Sequence, residues 1–264
     1  MIRVAGLSVV YGKGTPLEKR ALSGVDIAIE PGEFVSVIGS NGAGKSTLLG
    51  AVAGDVSPTA GRIEIDDVDV TRWPAARRAT LVARVFQDPL AGSCGQLTIE
   101  ENLALAAARG SWRGLRPALG SARRAAFRER LSALRLGLET RLRDRMALLS
   151  GGQRQALAIV MATIAPCSVL LLDEHTAALD PGMAEFVVDL TKRVVAEQKL
   201  TTLMVTHSMR QALDCGSRTI MLDEGEVVLD VKGEERSGLT VDELVARFRR
   251  VRGRTIDDDE LLIE

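Results

Sequence analysis

The stretch FVSVIGSNGAGKSTLLGAVAG, residues 34–54, runs from an apolar, β-branched segment through a glycine-rich turn into a helix-forming segment. Its middle, Gly39-Ser40-Asn41-Gly42-Ala43-Gly44-Lys45-Ser46-Thr47, fits the pattern G-x-x-x-x-G-K-[ST]. Glycines let backbone N–H groups turn inward around the β- and γ-phosphates of a nucleotide, and the N-terminus of the following helix adds its dipole. Lys45 brings a point charge to those phosphates, and the Ser46 hydroxyl is a ligand for Mg²⁺. The alternative is a glycine-rich turn that binds nothing. A strand before the motif and a helix after it are the context that a phosphate cradle requires, and they favour nucleotide binding.

A second apolar run opens LLLDEHTAALD, residues 170–180. Asp173, Glu174 and His175 could be metal ligands, an acid/base pair with a proton shuttle, or one working acid beside idle neighbours. Asp173 ends the run, where the acid that holds Mg²⁺ stands in nucleotide-binding proteins with this cradle. Glu174 falls one residue on, at the carboxyl edge where open α/β sheets bind ligands. A carboxylate there can orient and deprotonate the water that attacks the γ-phosphate. Alone, an Asp-Glu pair would be ordinary loop charge; behind this strand and in this chain it is a candidate site.

Strands are expected at 34–38, 81–86, 169–172, 202–206 and 219–222, with helices between several of them, which predicts an α/β fold with a mostly parallel core sheet. The shorter alternating pieces at 2–10, 24–30 and 62–70 predict an antiparallel β subdomain. Between 97 and 148 the strand signal gives way to Ala, Leu and Arg broken by Gly110, Gly114, Pro117 and Gly120, which predicts an inserted helical subdomain. Thr240 and Glu243 form a capping box for a helix to about Val251, with Leu244, Val245 and Phe248 on one face. The expected division is a main domain over 1–232, with the helical subdomain inserted at about 97–148, and a short C-terminal helix with an acidic tail over 233–264.

With 264 residues, 46% of them hydrophobic, the chain can bury a core as one large domain or one domain with a subdomain. A formal net charge of −1 gives no global attraction to nucleic acid or lipid. Locally, Arg109, Arg113, Arg116, Arg123, Arg124, Arg128, Arg130 and Arg135 form a basic cluster, and Asp257, Asp258, Asp259 and Glu260 an acidic tail. The three cysteines, Cys94, Cys167 and Cys215, are far apart and contain no CxxC pair, which argues against a zinc site or disulfide framework. No apolar run reaches the roughly 18 residues of a membrane span, and no signal peptide opens the chain, so a cytosolic location is expected.

Ser150 and Gln153 in LLSGGQRQALAI, residues 148–159, make a capping box, but that does not account for Gly151-Gly152, which bares a helix N-terminus to an anion. Here the chain resembles the ATP-binding subunits of ABC transporters, whose signature motif is LSGGQ. The ordered set is present over about residues 1–232: Tyr11, the cradle, Gln87, LSGGQ, Asp173 with Glu174, Ala178-Leu179-Asp180, and His207. The resemblance implies that Tyr11 stacks on adenine and that Gln87 touches Mg²⁺ and the attacking water while sensing a membrane partner. It implies that His207 hydrogen-bonds the γ-phosphate and holds Glu174 and the water in register.

The same resemblance implies a head-to-tail pair of motors. Ser150, Gly151, Gly152 and Gln153 would then face the ATP of the second ATPase subunit, a homodimer partner or a similar chain, with Asp180 at the seam. Transmembrane permease subunits, an extracytoplasmic solute-binding protein and a peripheral position on the cytoplasmic face of the membrane follow, with ATP and Mg²⁺ as cofactors and no nucleic acid as partner. Residues 87–110 and the RGLR after them resemble importer-like ATPases paired with tryptophan- and tyrosine-type solute-binding proteins. Export or lipid extraction, or a soluble ABC ATPase on nucleic acid or ribosomes, are the alternatives. His175 departs from the family, which more often has Pro there, and is expected to transfer no proton.

Overall fold

The computed structural model describes residues 1–111 and 117–252, so Arg113, Arg116 and the acidic tail lie outside the described residues. In chain order the first half contains β1 (Ile2–Tyr11), β2 (Lys19–Ile29), β3 (Phe34–Ile38), α1 (Lys45–Ala53), β4 (Ala60–Ile65), β5 (Val68–Asp69), α2 (Ala75–Arg78), β6 (Val82–Val85), α3 (Ile99–Ala107) and α4 (Ser121–Ser132). There follow α5 (Gly151–Thr163), β7 (Val169–Asp173), α6 (Pro181–Gln198), β8 (Thr201–Val205), α7 (Met209–Asp214), β9 (Arg218–Asp223), β10 (Glu226–Lys232), α8 (Gly233–Ser237) and α9 (Val241–Arg252). The fold is α/β with mixed sheets, and its described residues fall in two compact units: 1–78 with 199–252, and 79–198.

In the first unit, β1 pairs antiparallel with β2 and β4. Ile2 lies opposite Ile29 and Ile65, and Val4 opposite Ile27 and Ile63, so one face of the sheet is a continuous apolar layer. A bulge between Val4 and Leu7 shifts the inward set from Ile2 and Val4 to Leu7 and Val9, which is why β1 breaks strict alternation. Separately, β3 lies between β8 and β9 and parallel to both, and β10 closes antiparallel on β9. All five residues of β3 are buried, as expected for a strand covered on both faces.

The capping box of Thr240 and Glu243 starts α9: Glu243 Oε2 accepts from Thr240 N at 2.8 Å, and Thr240 Oγ1 accepts from Glu243 N at 3.3 Å. Leu244, Val245 and Phe248 are buried in one cluster with Ile38 at the end of β3, Met209 and Ala212 of α7, and Met221 of β9. Arg236 fastens the carboxyl end of α7 through Nη2, which donates to the carbonyls of Ala212, Leu213 and Cys215 at 2.8 to 2.9 Å.

In the second unit, β6 and β7 pair in parallel, with Val82 opposite Val169 and Val85 opposite Leu172. Among the described residues of 97–148 lie α3, α4 and two short 3-10 turns, with Ile99, Leu103, Phe127, Leu131, Leu138 and Met146 buried. Part of the basic cluster is used internally. Arg124 grips buried Glu100 with two hydrogen bonds of 2.7 and 3.1 Å, and Arg109 donates to Ala165 O at 2.9 Å. Arg123, Arg128, Arg130 and Arg135 are exposed.

Arg78 is 1% exposed and serves helix α1. Its Nη1 donates to the carbonyls of Ala51 and Val52 in the last turns of that helix, and its Nη2 to those of Val70, Thr71 and Trp73. A helix leaves its final carbonyls without intrahelical donors and with partial negative charge, so a buried cation is well placed there. Burial pulls the Arg78 guanidinium below the usual arginine value, opposed by Asp55 and Asp69. Arg78→Met should lower unfolding stability by about 3 kcal/mol, because several buried acceptors each lose a donor. Chemical denaturation checks this, and a change under about 1 kcal/mol would deny Arg78 this role.

Candidate nucleotide site

The cradle is built by backbone geometry in the first unit. Gly39 adopts φ +147°, and a Cβ there would lie 2.1 Å from Leu222 O; Gly44 has φ +102°, and a Cβ would meet Ala21 O at 2.5 Å. Both obstacles are main-chain carbonyls, so neither position admits a side chain without moving a strand. Lys45 is 5% exposed, and its Nζ donates to the carbonyls of Gly39 at 2.7 Å and Ser40 at 2.9 Å, which holds the ammonium inside the loop. Ser46, Asn41 and Gly42 are exposed at its mouth, while Ala43 is buried. Tyr11, at the end of β1, is 44% exposed, with its hydroxyl 3.5 Å from Thr47 Oγ1, so the aromatic ring stands beside the cradle.

His207 follows β8 in the same unit and is half-buried. Ser208 caps α7 by accepting from Gln211 N at 3.1 Å, and Thr206 Oγ1 donates to Gln211 Oε1 at 3.0 Å, so the residues on both sides of His207 are fixed.

The second unit carries the acids. Asp173 ends β7, and Glu174 next to it has φ +44°, a left-handed conformation that costs a non-glycine residue energy and tends to persist at functional sites. The turn closes with Ala177 N donating to Glu174 O at 3.1 Å. Gln87 is exposed just beyond β6, and Gln155 of α5 fixes the preceding carbonyl by donating to Phe86 O at 3.2 Å. Sequence reasoning did not single out Arg84, whose Nη2 bonds Asp173 Oδ2 at 2.6 Å. A lone Arg in a strand gives no signal of its partner on the next strand.

The two glycines of LSGGQ differ. The expected capping box starts α5, with Ser150 Oγ accepting from Gln153 N at 3.2 Å and Gln153 Oε1 accepting from Ser150 N at 3.2 Å. A Cβ on Gly152 would lie 2.4 Å from Met183 Cε, and 2.9 Å from its Cγ, so packing against α6 favours glycine there. On exposed Gly151 the nearest atom would be Leu179 Cδ2 at 3.9 Å, so packing within the unit does not require glycine. Asp180 has a local task as well: its Oδ1 accepts from Met183 N at 3.1 Å at the start of α6.

A family model described as ABC transporter matches residues 22–177. The chain is 43% identical to a tyrosine transport ATP-binding protein of Clostridioides difficile, over 94% of this chain and 98% of that relative. It is 36% identical to the thiamine import ATP-binding protein ThiQ of Yersinia pseudotuberculosis, over 78% of this chain and 82% of the relative. Among solved structures, a dimeric post-hydrolysis state of the ATP-binding cassette MJ0796 bound to ADP and Pi matches with a TM-score of 0.76 at 31% identity, covering 88% of this chain and 98% of that one.

His175 is 3% exposed, and its Nε2 lies 3.1 Å from Thr191 Oγ1 in α6. The Thr191 hydroxyl spends its one proton on Val187 O at 2.8 Å, so Nε2 is the donor to it. Burial pushes the His175 pKa down to about 4, which leaves no shuttle near neutral pH. The unfolded chain takes up this proton near the ordinary value of about 6.5. Stability is therefore full above that value, falls as pH drops toward 4, and levels off below it. We expect a loss of about 2 to 3 kcal/mol from this group between pH 7.5 and 4.5. Denaturation curves of the parent and His175→Gln at both values test it: equal pH dependence in the two would remove His175 as the cause.

Proposed function

Because the chain belongs to the ABC transporter family, we propose that it powers uptake of a small amino acid, of the tyrosine type, through a membrane permease. The subunit binds and hydrolyses ATP as the motor of the transporter, works with transmembrane permease subunits, and acts as a paired cassette. Among the described residues no helix is long and apolar enough to cross a membrane. The observation that carries the motor role is the glycine cradle, whose shape is enforced by carbonyls that no side chain at Gly39 or Gly44 could avoid. The amino-acid solute is supported by the match to the tyrosine transport protein along nearly the whole of both chains.

In this mechanism residues 39–47 wrap the phosphates with backbone N–H groups and the Lys45 charge, and Tyr11 stacks on adenine, worth about 1 to 3 kcal/mol. Ser46, Gln87 and Asp173 offer a hydroxyl, an amide oxygen and a carboxylate, a hard-oxygen set that suits Mg²⁺, which commonly takes its other ligands from water and phosphate. Among the described residues no cluster of three or more His, Cys, Asp or Glu competes for that role. Bound with ATP, Mg²⁺ neutralises charge on the β- and γ-phosphates. Glu174 accepts a proton from water as its oxygen bonds to the γ-phosphorus; the bond to the bridging oxygen breaks, leaving ADP and phosphate. His207 donates to a γ-phosphate oxygen.

The ATPase domain spans 1–232, with 97–148 as its helical insertion and 233–264 as an extension. The partner of the motor is a second copy of this chain, the pair sits on the cytoplasmic face, and an extracytoplasmic solute-binding protein delivers the solute. Ser150, Gly151, Gly152 and Gln153 address the ATP of the partner copy, with Asp180 at the seam; the unforced glycine at 151 supports an approach from outside the chain.

Glu174→Gln should keep ATP affinity within about twofold, lower turnover by 100-fold or more, and accumulate an ATP-dependent dimer. Phosphate release, nucleotide titration and size-exclusion chromatography with ATP measure the three effects. Turnover at the parental rate would remove Glu174 as the base.

A further inference from the structure

Arg84 of β6 stands opposite Leu171 in the β6–β7 register, and its side chain extends toward the carboxyl end of β7. Its Nη2 lies 2.6 Å from Asp173 Oδ2, and its guanidinium carbon 4.6 Å from the centroid of the Phe86 ring. The two charged side chains are only 16% and 13% exposed, so the pair is largely shielded from water. Stacking on Phe86 limits the swing of the guanidinium, and Gln87 follows Phe86 directly. One arginine thus ties the strand that leads to Gln87 to the carboxylate that ends β7.

We propose that Arg84 is a positioning residue that acts as a built-in counter-ion to Asp173 and weakens the hold of that carboxylate on Mg²⁺. This rests on Asp173 being the Mg²⁺-binding acid. One oxygen of Asp173 is engaged by a fixed cation, and a divalent ion drawn to the other oxygen meets that positive charge at short range in a shielded setting. Protein without nucleotide therefore keeps Asp173 neutralised without metal, and Mg²⁺ is held chiefly when ATP or ADP phosphates add their own charge. Phosphate binding and metal binding become coupled through one ion pair.

The readout is the ratio of ADP dissociation constants without and with Mg²⁺, measured by calorimetry in EDTA and in saturating Mg²⁺. Arg84→Met should raise this ratio roughly three- to tenfold, the scale of one short-range charge in a partly screened site. Arg84→Lys, which keeps the charge, should stay near the parental ratio. Arg84→Gln removes the charge but keeps a donor to Asp173; it should raise the ratio too, and it decides the matter if Arg84→Met does not fold. A merely structural Arg84 would shift both constants together, so an unchanged or smaller ratio in the charge-removing variants overturns the proposal. Asp173→Asn is the control for the premise. Loss of most of the Mg²⁺ effect there, with no rise in Arg84→Met or Arg84→Gln, rejects the role of Arg84 alone; a parental ratio in Asp173→Asn rejects the metal-binding acid and the proposal with it.

Discussion

The close approach of main chain to main chain at Gly39 and Gly44 is the constraint on which the first unit depends. Strand β3 must end against Leu222 O, and helix α1 must begin against Ala21 O, at separations that leave no room for a Cβ. Between those two points the loop has nowhere to go but around the Lys45 ammonium, which is buried against the carbonyls of Gly39 and Ser40. The five buried residues of β3 anchor the loop on one side and the Arg78-bound carbonyls of α1 on the other. The phosphate site proposed for this loop would depend on backbone N–H groups whose positions are set before any ligand arrives.

Arginine is the residue by which this protein handles buried carbonyls and several carboxylates, buried or at the surface. Arg78 and Arg236 gather carbonyls at the ends of α1 and α7, Arg124 holds Glu100, Arg218 holds Asp230, and Arg84 holds Asp173. The planar fork of the guanidinium, with several donors and a permanent charge, suits each of these tasks better than an ammonium would. An arginine-rich sequence with a net charge near zero is thus partly an internal scaffold.

Much of the fold was legible because the deciding signals are local. The strand and helix on either side of the glycine-rich motif, the buried runs of β3 and β7, and the capping boxes at Ser150–Gln153 and Thr240–Glu243 depend on residues within a few positions of each other, and each forms as expected. The inward shift of β1 was not legible, since the bulge is set by pairing with distant strands. Nor was the difference between Gly151 and Gly152, which comes from Met183 of another helix. The left-handed backbone of Glu174 likewise has no mark in an Asp-Glu-His string.

The sequence by itself determined the candidates proposed here for cradling phosphate, binding metal and taking a proton, because those abilities belong to side-chain chemistry and short spacing. Tertiary structure alone decided which charges are spent. Arg77 and Arg78 are neighbours with the same side chain, yet Arg77 lies exposed over the Trp73 ring at 3.7 Å and Arg78 is buried among carbonyls. His175, beside two acids in sequence, is turned away to Thr191 and kept neutral by burial. In each case the ionic behaviour follows from surroundings supplied by distant parts of the chain, since desolvation and pairing depend on what folding brings near.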